Sequence, residues 1–181
     1  TQGQDVTARR VAGRANAPAV PGINTGSFTG ANPNCLVFVM DGVAAGENII
    51  ANKGGEVGYV ATADVRMNAS YAFSTPNKFA MDGNKVILER DFGASDKWNG
   101  ITLPFSMNEE EIKSVFGEKT LVASLDTLSG NTLFFDVETK AMAANKPYLI
   151  RVSDIKDSYT LTAGEVLPVQ AEMMDTRLGV E

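Results

Sequence analysis

The stretch Leu121-Val122-Ala123-Ser124-Leu125-Asp126-Thr127-Leu128-Ser129-Gly130-Asn131-Thr132-Leu133-Phe134-Phe135-Asp136-Val137 decides the fold class. Two runs rich in strand-forming residues, 121–128 and 132–137, flank Ser129-Gly130-Asn131. A short turn with glycine between two such runs predicts a β-hairpin. Phe134 and Phe135 are adjacent, so on a strand they point to opposite faces. The expectation is one ring between layers and the other against a helix.

The same alternation of short apolar runs and turns extends outward in both directions. Upstream, residues 35–40 are a continuous apolar run ending at Asp41-Gly42, and 48–51 and 57–67 are further runs. Residues 78–89 enclose Asp82-Gly83, a pair suited to a tight hairpin turn because glycine tolerates positive φ. Residues 101–105 read as a strand that Pro104 helps to end, since proline has no N–H for a ladder. Downstream, 147–152 and 159–162 read as strands, and Ala163-Gly164-Glu165 turns the chain into 166–169.

One helix interrupts the pattern, near 108–116. Ser106 with Glu109 fits a capping box, and Asn108 with Glu111 is the alternative cap. Glu109, Glu110 and Glu111 place negative charge in the first turn, where it suits the helix dipole. Ile112, Val115 and Phe116 form one apolar face, and Gly117 stands where a left-handed cap belongs. Two turns do not hold alone, so this helix must pack on the sheets.

These elements predict an all-β fold, mainly an antiparallel β-sandwich or jelly roll with one short helix. The alternative is a short β-helix-like stack for residues 35–75 joined to a sandwich. Residues 1–33 carry Arg9, Arg10 and Arg14 against Asp5, about +2 in a chain of net charge -6. Rich in Gly, Ala, Pro and Asn, they read as a linker or an extended arm. The β-rich domain is expected over 34–172, and 173–181 reads as a tail cut from a longer protein.

Composition removes several chemistries. Histidine is absent from the 181 residues, which excludes Ser-His-Asp, Cys-His and His-metal mechanisms. Cys35 is the single cysteine, so neither an intrachain disulfide nor a four-cysteine metal site exists. It reads as a buried small hydrophobe at the start of an apolar run. An acidic chain is a poor match for a nucleic-acid backbone, and no window reaches the ~18 apolar residues of a spanning helix. Asp91-Phe92-Gly93 spells a kinase metal triplet but lacks the glycine-rich and catalytic loops that give it meaning. Residues 54–58 lack the Lys-Ser/Thr of a phosphate loop, and Asp41-Gly42 and Asp82-Gly83-Asn84 do not continue into a calcium loop. Asp64, Asp91, Asp96 and Asp136 are scattered carboxylates with no spacing that pairs them. No catalytic residue, metal or cofactor is assigned, and the expectation is a protein that is not an enzyme.

Binding residues are the remaining candidates. Trp98 is the sole tryptophan, beside Asn99 and near a turn. Its plainer reading is packing on the core; exposed, it is a flat surface for a sugar, with Asn99 to read hydroxyls and Tyr59 and Tyr71 as further contacts. Asn68-Ala69-Ser70 matches a short N-glycosylation acceptor that is common by chance.

Several motifs occur in a suggestive order. Asn32-Pro33-Asn34-Cys35-Leu36-Val37-Phe38 and Tyr71-Ala72-Phe73-Ser74-Thr75-Pro76-Asn77-Lys78-Phe79 precede Trp98-Asn99-Gly100-Ile101-Thr102-Leu103-Pro104-Phe105, the helix with Phe116-Gly117, and Ala144-Asn145-Lys146-Pro147-Tyr148-Leu149-Ile150. Over residues 32–152 this order resembles an uncharacterised module of large secreted and surface proteins of Bacteroides- and Prevotella-type bacteria. The resemblance implies an extracytoplasmic, cell-surface or secreted setting and a chain that continues beyond residue 181. It also implies Thr127, within Asp126-Thr127-Leu128, as an O-glycosylation acceptor. No catalytic residue accompanies it. The expected role is a non-catalytic module for adhesion or glycan binding, its partner a glycan or a host or neighbouring surface protein. The alternative is a structural or assembly domain that pairs with another protein through the N-terminal arm or a sheet edge.

Overall fold

The computed structural model describes residues 32–169, and residues 1–31 and 170–181 lie outside that range. The expected arm and tail therefore fall almost wholly outside the described residues. Asn32 and Pro33, read as linker, are tied to the body: Asn32 Nδ2 donates to the Ala72 carbonyl at 3.0 Å, and the Pro33 carbonyl accepts from Asn48 Nδ2 at 2.9 Å.

The fold is all-β with one short helix. Strands β1 (Val37–Met40), β2 (Ile49–Gly54), β3 (Gly58–Ala61), β5 (Phe79–Ala80) and β12 (Glu165–Val166) form a five-stranded sheet in the order β1-β2-β3-β5-β12. Strands β4 (Val65–Asn68), β6 (Lys85–Glu89) and β11 (Ser158–Thr162) form a three-stranded sheet, β11-β6-β4. Strands β7 (Asn99–Ile101), β8 (Leu121–Ser129), β9 (Thr132–Thr139) and β10 (Tyr148–Arg151) form a four-stranded sheet, β7-β10-β8-β9. Most pairings are antiparallel, but β1/β2, β3/β5 and β4/β6 are parallel. In the 35–75 region, β1 and β2 stack in parallel and β2 and β3 then reverse, so the parallel stacking stops after one pair.

One core serves all three sheets. Ile50 and Phe79, Val65 and Leu161, and Val122 and Ile150 belong to different sheets and to one buried cluster. Helix α1 (Glu109–Phe116) closes it with Ile112 and Phe116, and Val115 packs against its margin. Phe116 meets Phe92 and Tyr159, with ring centroids 5.9 and 5.1 Å away, and Phe92 and Tyr159 are 5.4 Å apart. Tyr159 is fully buried, and its hydroxyl accepts from the Lys156 amide at 2.9 Å.

Three sequence expectations change at the level of connection. The 57–67 run is two strands, because the chain leaves one sheet for another at residues 62–64. There Thr62 Oγ1 donates to the Ile49 carbonyl at 3.0 Å, and Asp64 Oδ1 accepts from the Lys85 amide at 2.8 Å. Asp82-Gly83 does form a tight turn, with φ of 47° and 83° and Asn84 N donating to the Met81 carbonyl at 2.9 Å. It is not a hairpin, since β5 pairs with β3 and β12 while β6 pairs with β4 and β11. The expected 101–105 strand ends at Ile101. Beyond it the Leu103 carbonyl accepts from Asn145 N at 2.7 Å and the Pro104 carbonyl from Leu167 N at 2.8 Å, two partners in different segments.

The helix starts at the second of the two expected caps. Met107 and Met142 exchange backbone hydrogen bonds at 2.8 Å, which holds the chain extended one residue past Ser106. Asn108 then caps α1, and its side chain and that of Glu111 bond reciprocally to each other's amides at 2.9 and 2.8 Å. Gly117 ends the helix at φ 103°, ψ 150°, outside the expected left-handed helical region. Its lack of a Cβ has a second cause: an added Cβ would collide with Ser153 Oγ and lie 2.9 Å from the Asp154 amide nitrogen. That loop is fixed by the Phe116 carbonyl, which accepts from the Ser153 and Asp154 amides at 3.2 and 2.9 Å. Gly117→Ala is expected to cost about 2–4 kcal/mol in urea unfolding, and Asn108→Ala about 1 kcal/mol.

Candidate functional site

The registers of the four-stranded sheet divide its side chains into two faces. Across β7, β10 and β8, Ile101 pairs with Tyr148 and Ile150 with Val122, and all four are buried in the core. The intervening ranks, Gly100–Leu149–Ala123 and Arg151–Leu121, therefore lie on the outer face. Trp98 continues that face just ahead of β7, and the Arg151 guanidinium lies 5.7 Å from the centroid of its ring.

The β8–β9 hairpin carries the outer face away from the body. All residues from 125 to 138 are exposed, so among the described residues neither side of this stretch is covered. Ser129 and Thr132 flank Gly130-Asn131, with Gly130 at φ 60°, which is the predicted glycine-bearing hairpin. Leu125 pairs with Phe135, and Leu128 with Leu133. Leu125 shares its face with Ala123, and Leu133 and Val137 share theirs with Phe135. Leu125 and Leu128 stand three apart and would face opposite ways on a regular strand. Between the Leu125–Phe135 and Thr127–Phe134 pairs β8 has one extra residue, Asp126, and that bulge returns Leu128 to the outer side.

The result is an apolar strip on one face, interrupted at the buried Ala123 and made of Trp98, Leu121, Leu125, Leu128, Leu133, Phe135 and Val137. Each of these is at least a third exposed, and Leu128 reaches 63 %. An antiparallel sheet with one free face normally turns polar residues to water. Exposed apolar side chains gathered on one face and rimmed by polar groups are a feature of surfaces for association. The hairpin's other side is Ser124, Thr127, Ser129, Thr132, Phe134 and Asp136, polar except for Phe134. Both phenylalanines are thus exposed on opposite faces, and the expected burial of one between layers and the other against the helix does not occur. The layers end before the hairpin does.

The predicted binding residues are not brought together. Trp98 is 39 % exposed, against the plainer expectation that it packs on the core. Its position at the outward end of β7 accounts for this. Asn99 is half-buried, and its amide donates to the Phe92 carbonyl at 3.0 Å, fixing the turn before β7. Tyr59 is on β3, half-buried and edge-on to Phe38 at 5.3 Å. Tyr71 is exposed in the turn after β4. The three aromatics thus stand in three separate places: ahead of β7, on β3, and in the turn after β4. Thr127 is exposed on the hairpin opposite Phe134. Cys35 is exposed, not buried, because it closes a turn in which its amide donates to the Asn32 carbonyl at 3.1 Å, ahead of β1.

Polar groups elsewhere are engaged structurally. Arg66 pairs with Glu47 at 2.8 Å and with Glu89, and these carboxylates hold its guanidinium above its ordinary range. The Asn34 side chain donates to the Tyr71 carbonyl at 2.8 Å and accepts from the Asn68 amide at 2.6 Å. Among the described residues every buried side-chain nitrogen or oxygen has a partner, and no three metal-ligating residues cluster. The flank of α1 lined by Glu109, Glu110, Lys113, Ser114 and Glu118 is an open depression. Lys113 hydrogen-bonds Glu109 at 2.8 Å there, lowering the carboxyl pKa and raising that of the amine.

No protein-family model, curated protein or solved structure matches this chain. Leu133, Phe135 and Val137 alternate in a way legible in the sequence, whereas the bulge that adds Leu128 is not.

If nothing in the domain packs on this strip, polar replacements there leave stability almost unchanged. Leu128→Ser and Leu133→Ser are expected within about 0.5 kcal/mol of the parent in urea melts, where Phe116→Ala costs about 3–5 kcal/mol.

Proposed function

We propose that this is a non-catalytic docking domain that holds a polypeptide against the outer face of its four-stranded sheet. The observation that carries the reading is the uncovered apolar strip from Trp98 to Leu128. Strand β9 supports it, being outermost in the sheet with one side of its backbone free to pair. The resemblance to modules of bacterial secreted and surface proteins supports an extracytoplasmic setting for such a role. The three sheets around one core support a sandwich-like reading of the fold.

Panning the full chain against a phage-displayed random peptide library tests this. Apolar peptides are expected to be enriched and to bind a Leu128→Ser/Leu133→Ser/Phe135→Ser variant at least about tenfold more weakly. Failure to enrich any peptide, or equal binding to the variant, overturns the reading.

Glycan binding is a second reading, and the exposure of Trp98 favours it. It relies on a single ring, since Tyr59 lies on β3 of another sheet and Tyr71 in the turn after β4. Saturable binding on a glycan panel that disappears in Trp98→Ala, with the circular dichroism unchanged, would establish a lectin-like role in its place.

A further inference from the structure

Resting on the docking reading, we infer that the occupant is an extended polypeptide segment of alternating apolar and basic residues, added as a strand at the free edge of β9. Two features of the hairpin select it. The first is the alternation along β9 itself. Leu133, Phe135 and Val137 stand on the outer side, and Phe134 and Asp136 on the other, with Glu138 next to the bulge that precedes Thr139. A strand laid beside β9 meets apolar side chains at every second position; between them it meets Phe134 and then the carboxylate of Asp136, with Glu138 beyond Val137. Cross-strand neighbours of opposite charge stabilise, and like charges opposed to each other do not.

The second feature is the sign of the charge. Between Leu121 and Thr139 the charged residues are Asp126, Asp136 and Glu138, with no lysine or arginine. None of the three forms an ion pair among the described residues; the nearby Lys140 is directed to Glu109 at 3.9 Å. The hairpin thus presents three unneutralised carboxylates around an apolar strip, in a chain of net charge -6. A second copy would bring three more carboxylates to the same edge. A basic segment brings their complement, and β9 supplies the backbone donors and acceptors for strand addition.

The test uses the full chain and fluorescently labelled synthetic peptides matched in length to the eight residues of β9. One alternates valine with lysine, a second valine with glutamate, and a third serine with lysine. By fluorescence anisotropy the valine–lysine peptide is expected to bind at least about tenfold more tightly than either of the others, more weakly as salt is raised. Asp136→Asn with Glu138→Gln is expected to bring the preference over the glutamate peptide below about threefold, and the β9 amides should gain hydrogen-exchange protection on binding. Equal binding of the lysine and glutamate peptides overturns the inference, as does a preference untouched by the double variant. Sedimentation of the peptide-free chain as a dimer, with cross-links between the two hairpins, makes a second copy the occupant and overturns it too. Enrichment of face-dependent apolar peptides without basic residues leaves the docking reading standing and removes only this inference.

Discussion

The contact between Phe116 and its neighbours Phe92 and Tyr159 is the constraint on which the rest of the molecule depends. An eight-residue helix has too few internal hydrogen bonds to persist alone. Burying Phe116 and Ile112 fixes it, and the helix then fills the core shared by three small sheets. The same residue acts through its backbone, because the Phe116 carbonyl accepts from Thr120 Oγ1 at 2.7 Å as well as from the Ser153 and Asp154 amides. One position thus joins the end of α1 to the approach to β8 and to the loop between β10 and β11. The base of the β8–β9 hairpin is anchored by this arrangement, while its tip projects free.

Local chemistry specifies the elements of this chain, but not which partners they find where the chain passes from one sheet to another. Gly130 and Asp82-Gly83 both specify turns, and both turns are present. Only the first joins paired strands. Turn chemistry fixes the reversal of direction, but whether the flanking runs then pair depends on which sheet each finds, and that is set by contacts with β3, β4, β11 and β12. The helix cap shows the same division. Ser106 and Asn108 are equally good caps locally, and the Met107–Met142 bridge, a contact across 35 positions, decides between them.

The outer face was only half legible for a comparable reason. Leu133, Phe135 and Val137 declare themselves by period-two alternation, but alternation of that kind ordinarily marks a buried side. The expected burial of Phe134 and Phe135 rests instead on their adjacency, which places them on opposite faces of the strand. What the sequence does not reveal is that the hairpin extends past the layer beneath it. Nor does it reveal the bulge at Asp126, since a one-residue register shift exchanges the faces of every later side chain. Trp98 illustrates the converse: its exposure is visible only once β7 is seen to be short and Arg151 to stand beside it.

The hairpin is best understood as an edge under two opposed demands. A long outermost strand with leucine, phenylalanine and valine on one side invites uncontrolled pairing with its own kind. Charges at the edge, and bulges that bend it, are the usual defences, and β8 and β9 have both: Asp126 at one bulge, and Asp136 and Glu138 beside the other. A strand intended only to stay solvated would dispense with the apolar side chains as well, because among the described residues no other element covers them. Their retention beside three carboxylates makes sense if the acids do not close the edge but discriminate there. The repulsion that keeps two acidic copies apart becomes attraction toward a basic segment, and the apolar strip that would otherwise aggregate supplies the area such a segment buries. Selectivity and protection against self-association then arise from the same three side chains.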